Sequence, residues 1–251
     1  MSKSFKDHFK AVEEKEGFSD GILNKNDLAL FRDIIYKNYQ NNLKANGIND
    51  NQLLSLPITD YHTFSDNIDH GAIWNKLSRI LNPSEYKKML TSDFFIQLHN
   101  ELGELVISDE EDVGYPEIYY RLVRPKPYVD VGPLHADKWF WDLGHGSAPD
   151  GVKRKRIKFW FSLWNSNNDT GFRFVKGSHL KNFKYTSEIR DGFAKPVFNE
   201  RAVSLDITHF QGKPGSFIIF NDKLLHGGYS TDQSTRVSFE FTLFAKNETP
   251  A

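Results

Sequence analysis

The sequence predicts an α+β fold in which a helical N-terminal part packs on a β sandwich or barrel. Three observations predict it. Over roughly the first hundred residues, apolar side chains recur at helical spacing. After Glu104, β-branched and aromatic residues take over in short runs, and prolines (Pro116, Pro125, Pro127, Pro133) and polar turns (Asn165 to Gly171, Gln211 to Gly215) punctuate those runs. The 251 residues, 39% apolar and 14% aromatic, suffice for a substantial core. One domain over 1–251 is expected, with a mainly helical part at 1–112 and a β core at 113–246.

Taken in order, residues 1–25 are charged and show no clear period. Behind an Asn26/Asp27 start signal, Leu28, Phe31, Ile34, Ile35 and Tyr39 mark an amphipathic helix to about Asn42. Ile68, Ile73, Trp74, Leu77, Ile80 and Leu81 mark a second over Asn67–Leu81. Asn82-Pro83-Ser84 reads as a cap with proline just inside a third helix through Tyr86, Met89 and Leu90, and Phe94–Leu102 as a fourth. Strands are expected at Leu105–Ile107, Glu117–Arg124, Ile157–Trp164, Arg173–Lys176, Ser204–Phe210, Ser216–Phe220 and Arg236–Phe244. There is no internal repeat and no obvious linker.

Composition excludes several classes. With a formal net charge of -1, no global field draws the chain to nucleic acid or an anionic membrane. The basic run Lys153-Arg154-Lys155-Arg156-Ile157-Lys158 is read as a solvated strand entry. No cysteine is present, which removes disulfides, thiolate nucleophiles and cysteine-held metals. Any metal sits on His, Asp or Glu, a donor set suited to iron, manganese or zinc. No secretory signal and no long apolar run is found, so a cytoplasmic protein with a small-molecule partner is expected. The sequence assigns no oligomeric state.

The chemistry is sought around His135-Ala136-Asp137, an imidazole and a carboxylate two residues apart in an aromatic segment. On a strand, such residues project from one face and can grip one ion. A third ligand is offered by His226, which follows an apolar strand and precedes Gly227-Gly228, where a backbone or ligand can approach closely. His145 and His209 compete for that place without the glycines. Ten residues beyond His226 stands Arg236. On its strand Arg236, Ser238, Glu240 and Thr242 share one face, and Val237, Phe239, Phe241 and Leu243 the other. The polar face is either solvated or lines a barrel interior, where guanidinium and hydroxyl make a fork for a carboxylate.

Together, His135-x-Asp137, His226 and Arg236-x-Ser238 resemble the motif set of Fe(II)/2-oxoglutarate-dependent oxygenases. The segment Phe159-Trp160-Phe161-Ser162-Leu163-Trp164-Asn165, followed by Thr170-Gly171-Phe172-Arg173-Phe174-Val175-Lys176-Gly177-Ser178-His179, is similar to the phytanoyl-CoA dioxygenase branch. The likeness spans about residues 115–244. It implies a double-stranded β-helix, or jelly-roll, at 113–246, with Fe(II) on His135, Asp137 and His226. It further implies 2-oxoglutarate held through its distal carboxylate by Arg236 and Ser238, and O2 as co-reactant. Because halogenating relatives replace the metal-binding carboxylate with a small residue, Asp137 favours hydroxylation, with release of succinate and CO2. Two departures stand out: Lys176 replaces a common proline before Gly177-Ser178-His179, and Trp164-Asn165 replaces an acidic or amide pair.

Around this site Trp160 is expected against 2-oxoglutarate and His179 in a structural turn. Trp139 and Asp142, just after the metal pair, are expected in the substrate wall. Asp142 or Glu240 would meet a cationic or hydroxylated group, and Arg121 or Arg124 an anionic one. An amino acid, a sugar-linked molecule and an acyl thioester remain open as substrates. The alternatives are a non-catalytic jelly-roll module binding a small molecule or sugar, and a cupin-like metal-dependent isomerase.

Overall fold

The structure, a computed structural model, describes residues 3–14, 16–126, 129–146, 154–165, 169–190, 192–199, 204–230 and 233–245. Helices α1 (Phe5–Glu13) to α6 (Asp93–Leu102) precede most of the strands. The main sheet runs β1 (Phe18–Ile22), β9 (Ser216–Asn221), β4 (Lys155–Trp164), β11 (Arg236–Ala245) and β2 (Val106–Ile107). Strand β3 (Tyr119–Val123) pairs with the first half of β11 on the β2 side. A second sheet, β10 (His226–Gly228), β5 (Asp169–Val175) and β8 (Ile207–Gln211), faces the first, and β6 (Tyr185–Arg190) with β7 (Phe193–Phe198) forms a separate hairpin. All these pairings are antiparallel. Two facing antiparallel sheets with helices outside one of them make the α+β jelly-roll anticipated above.

The main sheet is buried on both faces, and its alternation sorts two kinds of interior. Outward from β4 and β11 point Phe159, Phe161, Phe239 and Phe241, which pack with Phe31 of α2 (Lys25–Ala45) and with Phe94 and Phe95 of α6. Phe161 stacks on Phe239 at 4.2 Å and meets Phe94 edge-on at 5.1 Å. Inward, β9 and the second sheet enclose Trp160, Phe172, Phe174, Phe210, Ile218 and Phe220. The inward face of β11 is polar yet buried: Arg236, Ser238, Glu240 and Thr242 are all shielded from solvent. The solvated alternative for that face is therefore excluded.

The helical part departs from expectation in places, each with a local cause. The described residues before Lys25 do hold structure. Ser4 caps α1 in a capping box with Asp7, burying Phe5, His8 and Val12 on one face. Strand β1 then adds to the edge of β9. Asn24 caps α2, two residues before the expected Asn26/Asp27 start, and Asp27 accepts the backbone N–H groups of Asp93 and Phe94 at the start of α6. The single helix expected over Asn67–Leu81 is broken into a short α4 (His70–Ile73) and a 3-10 turn at Leu77–Arg79. There Ser78 Oγ donates to Ile73 O and Arg79 Nε to Trp74 O, so side chains take carbonyls that a continuous helix would use. The strand expected over Ser204–Phe210 begins only at Ile207. Among the described residues, no helix is long and apolar enough to cross a membrane.

Candidate metal centre and cosubstrate pocket

His135 and Asp137 do not lie on one strand. His135 forms an isolated antiparallel bridge with His226, each backbone N–H donating to the other's carbonyl at 2.8 Å. Asp137 is the first residue of α7 (Asp137–Asp142). An extended Ala136 turns the chain between them, so the carboxylate swings onto the imidazole side by a strand-to-helix change. Gly227 permits the bridge, because a Cβ there would stand 2.9 Å from Pro133 O.

The three side chains converge. His135 Nε2 lies 3.6 Å from Asp137 Oδ1, and His226 Nε2 lies 3.7 Å from Asp137 Oδ2. All candidate donor atoms fall within 4.8 Å of one another. His135 Nδ1 is 2.9 Å from Pro133 O and His226 Nδ1 is 2.9 Å from Leu224 O, contacts that place the proton on Nδ1 and leave each Nε2 lone pair turned inward. His226, 6% exposed between Phe172 and Phe220, is held neutral: burial takes it down to about 4 despite the opposing pull of Asp137. Asp137 Oδ2 is buried and accepts no hydrogen bond. A carboxylate with one orphaned oxygen, set among two inward-turned imidazole lone pairs, is what a divalent cation would satisfy, so the donor set fits iron.

Sequence reasoning did not single out Lys158 as a neighbour of this centre. The basic run is only partly solvated. Lys155 pairs with Glu13 at the surface and Arg156 pairs with Asp222, whereas Lys158 is 4% exposed, its Nζ 3.8 Å from Asp137 Oδ2 and 3.7 Å from Glu110 Oε1. Burial pushes the Asp137 carboxyl up, but Lys158 and His226 outweigh it and hold it well below the usual carboxylate range. The alternation of β4, which puts Lys158 on the face of Trp160 and Ser162, was the available signal. Lys158→Met is expected to lower the unfolding free energy of metal-free protein by about 3–5 kcal/mol, the range for breaking a buried ion pair. Chemical denaturation measures this, and added Mn(II) should narrow the deficit by replacing the missing positive charge.

Deeper in the barrel, Arg236 Nη1 donates to Ser238 Oγ at 2.8 Å, its guanidinium lies 5.6 Å from the centre of the Trp160 ring, and its Nε is buried with no partner. Burial, with Arg121 nearby, takes Arg236 down to about 10. Gly171, at φ +76°, makes room for it, since a Cβ there would sit 2.7 Å from Arg236 Nε. A guanidinium and hydroxyl set side by side, with a donor to spare, suit a carboxylate.

The other expected site residues are placed differently. Arg121 and Glu240 face the same interior from adjacent strands but are paired to each other at 2.5 Å, and this partner holds Glu240 at about 2 against the upward push of burial. Arg124 is closed on both oxygens of Asp130. Trp139 is stacked with Tyr185 at 4.7 Å and packed near Phe198, fastening the β6–β7 hairpin to α7. Asp142 is exposed and paired with Lys138. These two residues serve the hairpin side of α7 rather than a free pocket wall. His145 Nε2 meets Ala194 O at 2.5 Å, His209 packs on Tyr229, and His179 Nε2 meets Glu14 O at 2.7 Å in its turn.

A jelly-roll with two histidines and one aspartate converging at its mouth, and an arginine inside, defines a class of metal-dependent barrels. Residues 65–237, more than half of the chain, match the family model described as Phytanoyl-CoA dioxygenase (PhyH). The chain belongs to that family and is a 2-oxoglutarate-dependent dioxygenase. No curated protein matches it in sequence. Among solved structures it is similar to EvdO2 from Micromonospora carbonacea var. aurantiaca complexed with 2-oxoglutarate, at 14% identity and a TM-score of 0.58, covering 100% of this chain and 96% of that one. EctD from S. alaskensis with 2-oxoglutarate and 5-hydroxyectoine is 18% identical with a TM-score of 0.54, covering 97% and 76%. AviO1 from Streptomyces viridochromogenes Tue57 is 11% identical with a TM-score of 0.52, covering 100% and 99%. At these identities the likeness speaks to the fold.

Proposed function

We propose that the chain is a non-haem Fe(II)/2-oxoglutarate oxygenase that hydroxylates an unactivated C–H bond of a small molecule, with release of succinate and CO2. The observation that carries this is the Asp137 carboxylate set between two imidazole Nε2 atoms, Oδ1 toward His135 and the orphaned Oδ2 toward His226, with the buried Arg236 guanidinium deeper in the barrel lacking a carboxylate. EctD also has a crystal structure with bound Fe, which supports the same metal here.

In this reading His135, Asp137 and His226 would hold the iron through two imidazole nitrogens and one carboxylate. Arg236 and Ser238 hold the distal carboxylate of 2-oxoglutarate, with Trp160 along its side. When bound, iron with 2-oxoglutarate and dioxygen supplies the oxidant for C–H cleavage. The protein's share is positional. The two carbonyl-bound Nδ1 atoms fix the ring planes, Lys158 neutralises the carboxylate, and the aromatic wall of Phe172, Phe174 and Phe220 keeps water from the inner side. Asp137 fills the place that a halide would need, which favours hydroxylation.

Adding Fe(II) and 2-oxoglutarate to the protein without oxygen should give a metal-to-ligand charge-transfer band, absent in His135→Ala, and admitting oxygen should yield succinate. Folded, iron-loaded protein with neither band nor succinate would instead be a binding module or an isomerase.

A further inference from the structure

Outside the metal centre, a crevice of about 220 Å³ lies along the edge of β3 that β11 does not cover. His70, Trp74, Arg79, Arg121, Val129 and Asp130 wall it. None of the residues assigned to iron or to 2-oxoglutarate lines it. It is nonetheless next door, because Arg121 stands opposite Ser238 in the β3–β11 register. With a water occupying about 30 Å³ of liquid, the crevice has room for a small charged group and its first carbons.

The charges around it do not cancel. Asp130 is consumed by Arg124, whose Nε and Nη2 each reach one of its oxygens at 2.8 Å. Glu240 is taken by Arg121. His70 shares Nδ1 with the Tyr61 hydroxyl at 2.8 Å, and burial lowers its pKa, so it brings no charge at neutral pH. Arg79 is different. Its Nε donates to Trp74 O and its Nη1 to Tyr120 O, both at 3.0 Å, and among the described residues no carboxylate lies within ion-pair distance of it. Burial and the neighbouring Arg121 take it down to about 10. A shielded guanidinium whose donors meet only carbonyls, at the wall of an open space, is costly until an anion meets it.

We propose that this crevice binds an anionic oxygen group of the molecule to be oxidised, a carboxylate or a phosphate, with Arg79 as the principal contact and Arg121 as the second. The anion site follows from the crevice and its surplus charge. Only its assignment to the oxidised substrate rests on the oxygenase reading.

The test needs neither iron nor turnover, so its outcome is separable from that reading. In Arg236→Gln protein, which lacks the guanidinium assigned to 2-oxoglutarate, thermal unfolding is followed against sodium phosphate or sodium acetate, with sodium chloride at matched ionic strength as reference. A saturable rise in Tm is expected with one of the anions; phosphate preference identifies a phosphorylated substrate, and acetate preference a carboxylate. Adding Arg79→Gln should weaken the response at least about tenfold, as loss of a charge-assisted hydrogen bond does. Val129→Glu should abolish it by placing a carboxylate at the mouth; Val129 is 60% exposed, so this change spares the core. No rise above chloride with either anion, or a rise that survives both substitutions, would overturn the proposal.

Discussion

Asp137→Ala is expected to abolish the charge-transfer band and succinate formation while leaving the barrel folded. Loss of the carboxylate removes the only negative charge among the three converging donors and leaves Lys158 facing a void on that side. Partners of metal ligands are worth about 10–100-fold in metal affinity or activity, and a ligand itself exceeds that range. Titrating Fe(II) or Mn(II) into the variant measures the loss. Because Oδ2 accepts no hydrogen bond, its removal breaks none there, but it does break the ion pair with Lys158, so stability should fall as in Lys158→Met while circular dichroism still shows wild-type secondary structure. Retained tight iron binding in Asp137→Ala would remove the aspartate from the centre.

Arg236→Gln is expected to raise the KM for 2-oxoglutarate by about 30- to several-thousand-fold, the equivalent of the 2–5 kcal/mol lost when one partner of a buried charge pair is cut. Arg236→Lys should recover little, because a single ammonium cannot reproduce the fork set against Ser238 Oγ. Iron affinity in both variants should stay close to wild type, so metal titration beside steady-state kinetics separates loss of cosubstrate from loss of the centre. Equal KM values in wild type and Arg236→Gln would move the cosubstrate elsewhere.

What the sequence made legible follows from how locally each feature is determined. The alternation of Arg236 to Leu243 was readable because a strand's faces are fixed by its period of two, whatever surrounds it. Its ambiguity, polar face in water or in a barrel, was resolved only by β3, β4 and the second sheet closing around it. His135 and Asp137 were found by residue type, but their assumed common strand failed: a six-residue helix is too short to show a period. The β6–β7 hairpin was missed because most of β6 is exposed, which leaves no buried face to imprint a pattern. Lys158 looked like one more member of a basic run. Its burial depends on Glu110 and Asp137, which arrive from distant segments and leave no trace near it in the sequence.

The paired backbone bonds between His135 and His226 weld two distant parts of the chain at the place proposed for iron. Both rings are thus already aimed before any ion arrives, and the entropy of bringing them together is spent in folding rather than in loading. On the proposed site, iron would be a passenger in this architecture and not a girder. Chelation should strip the catalyst and leave the barrel standing, its Tm lowered only by the mass-action share that a bound ion contributes.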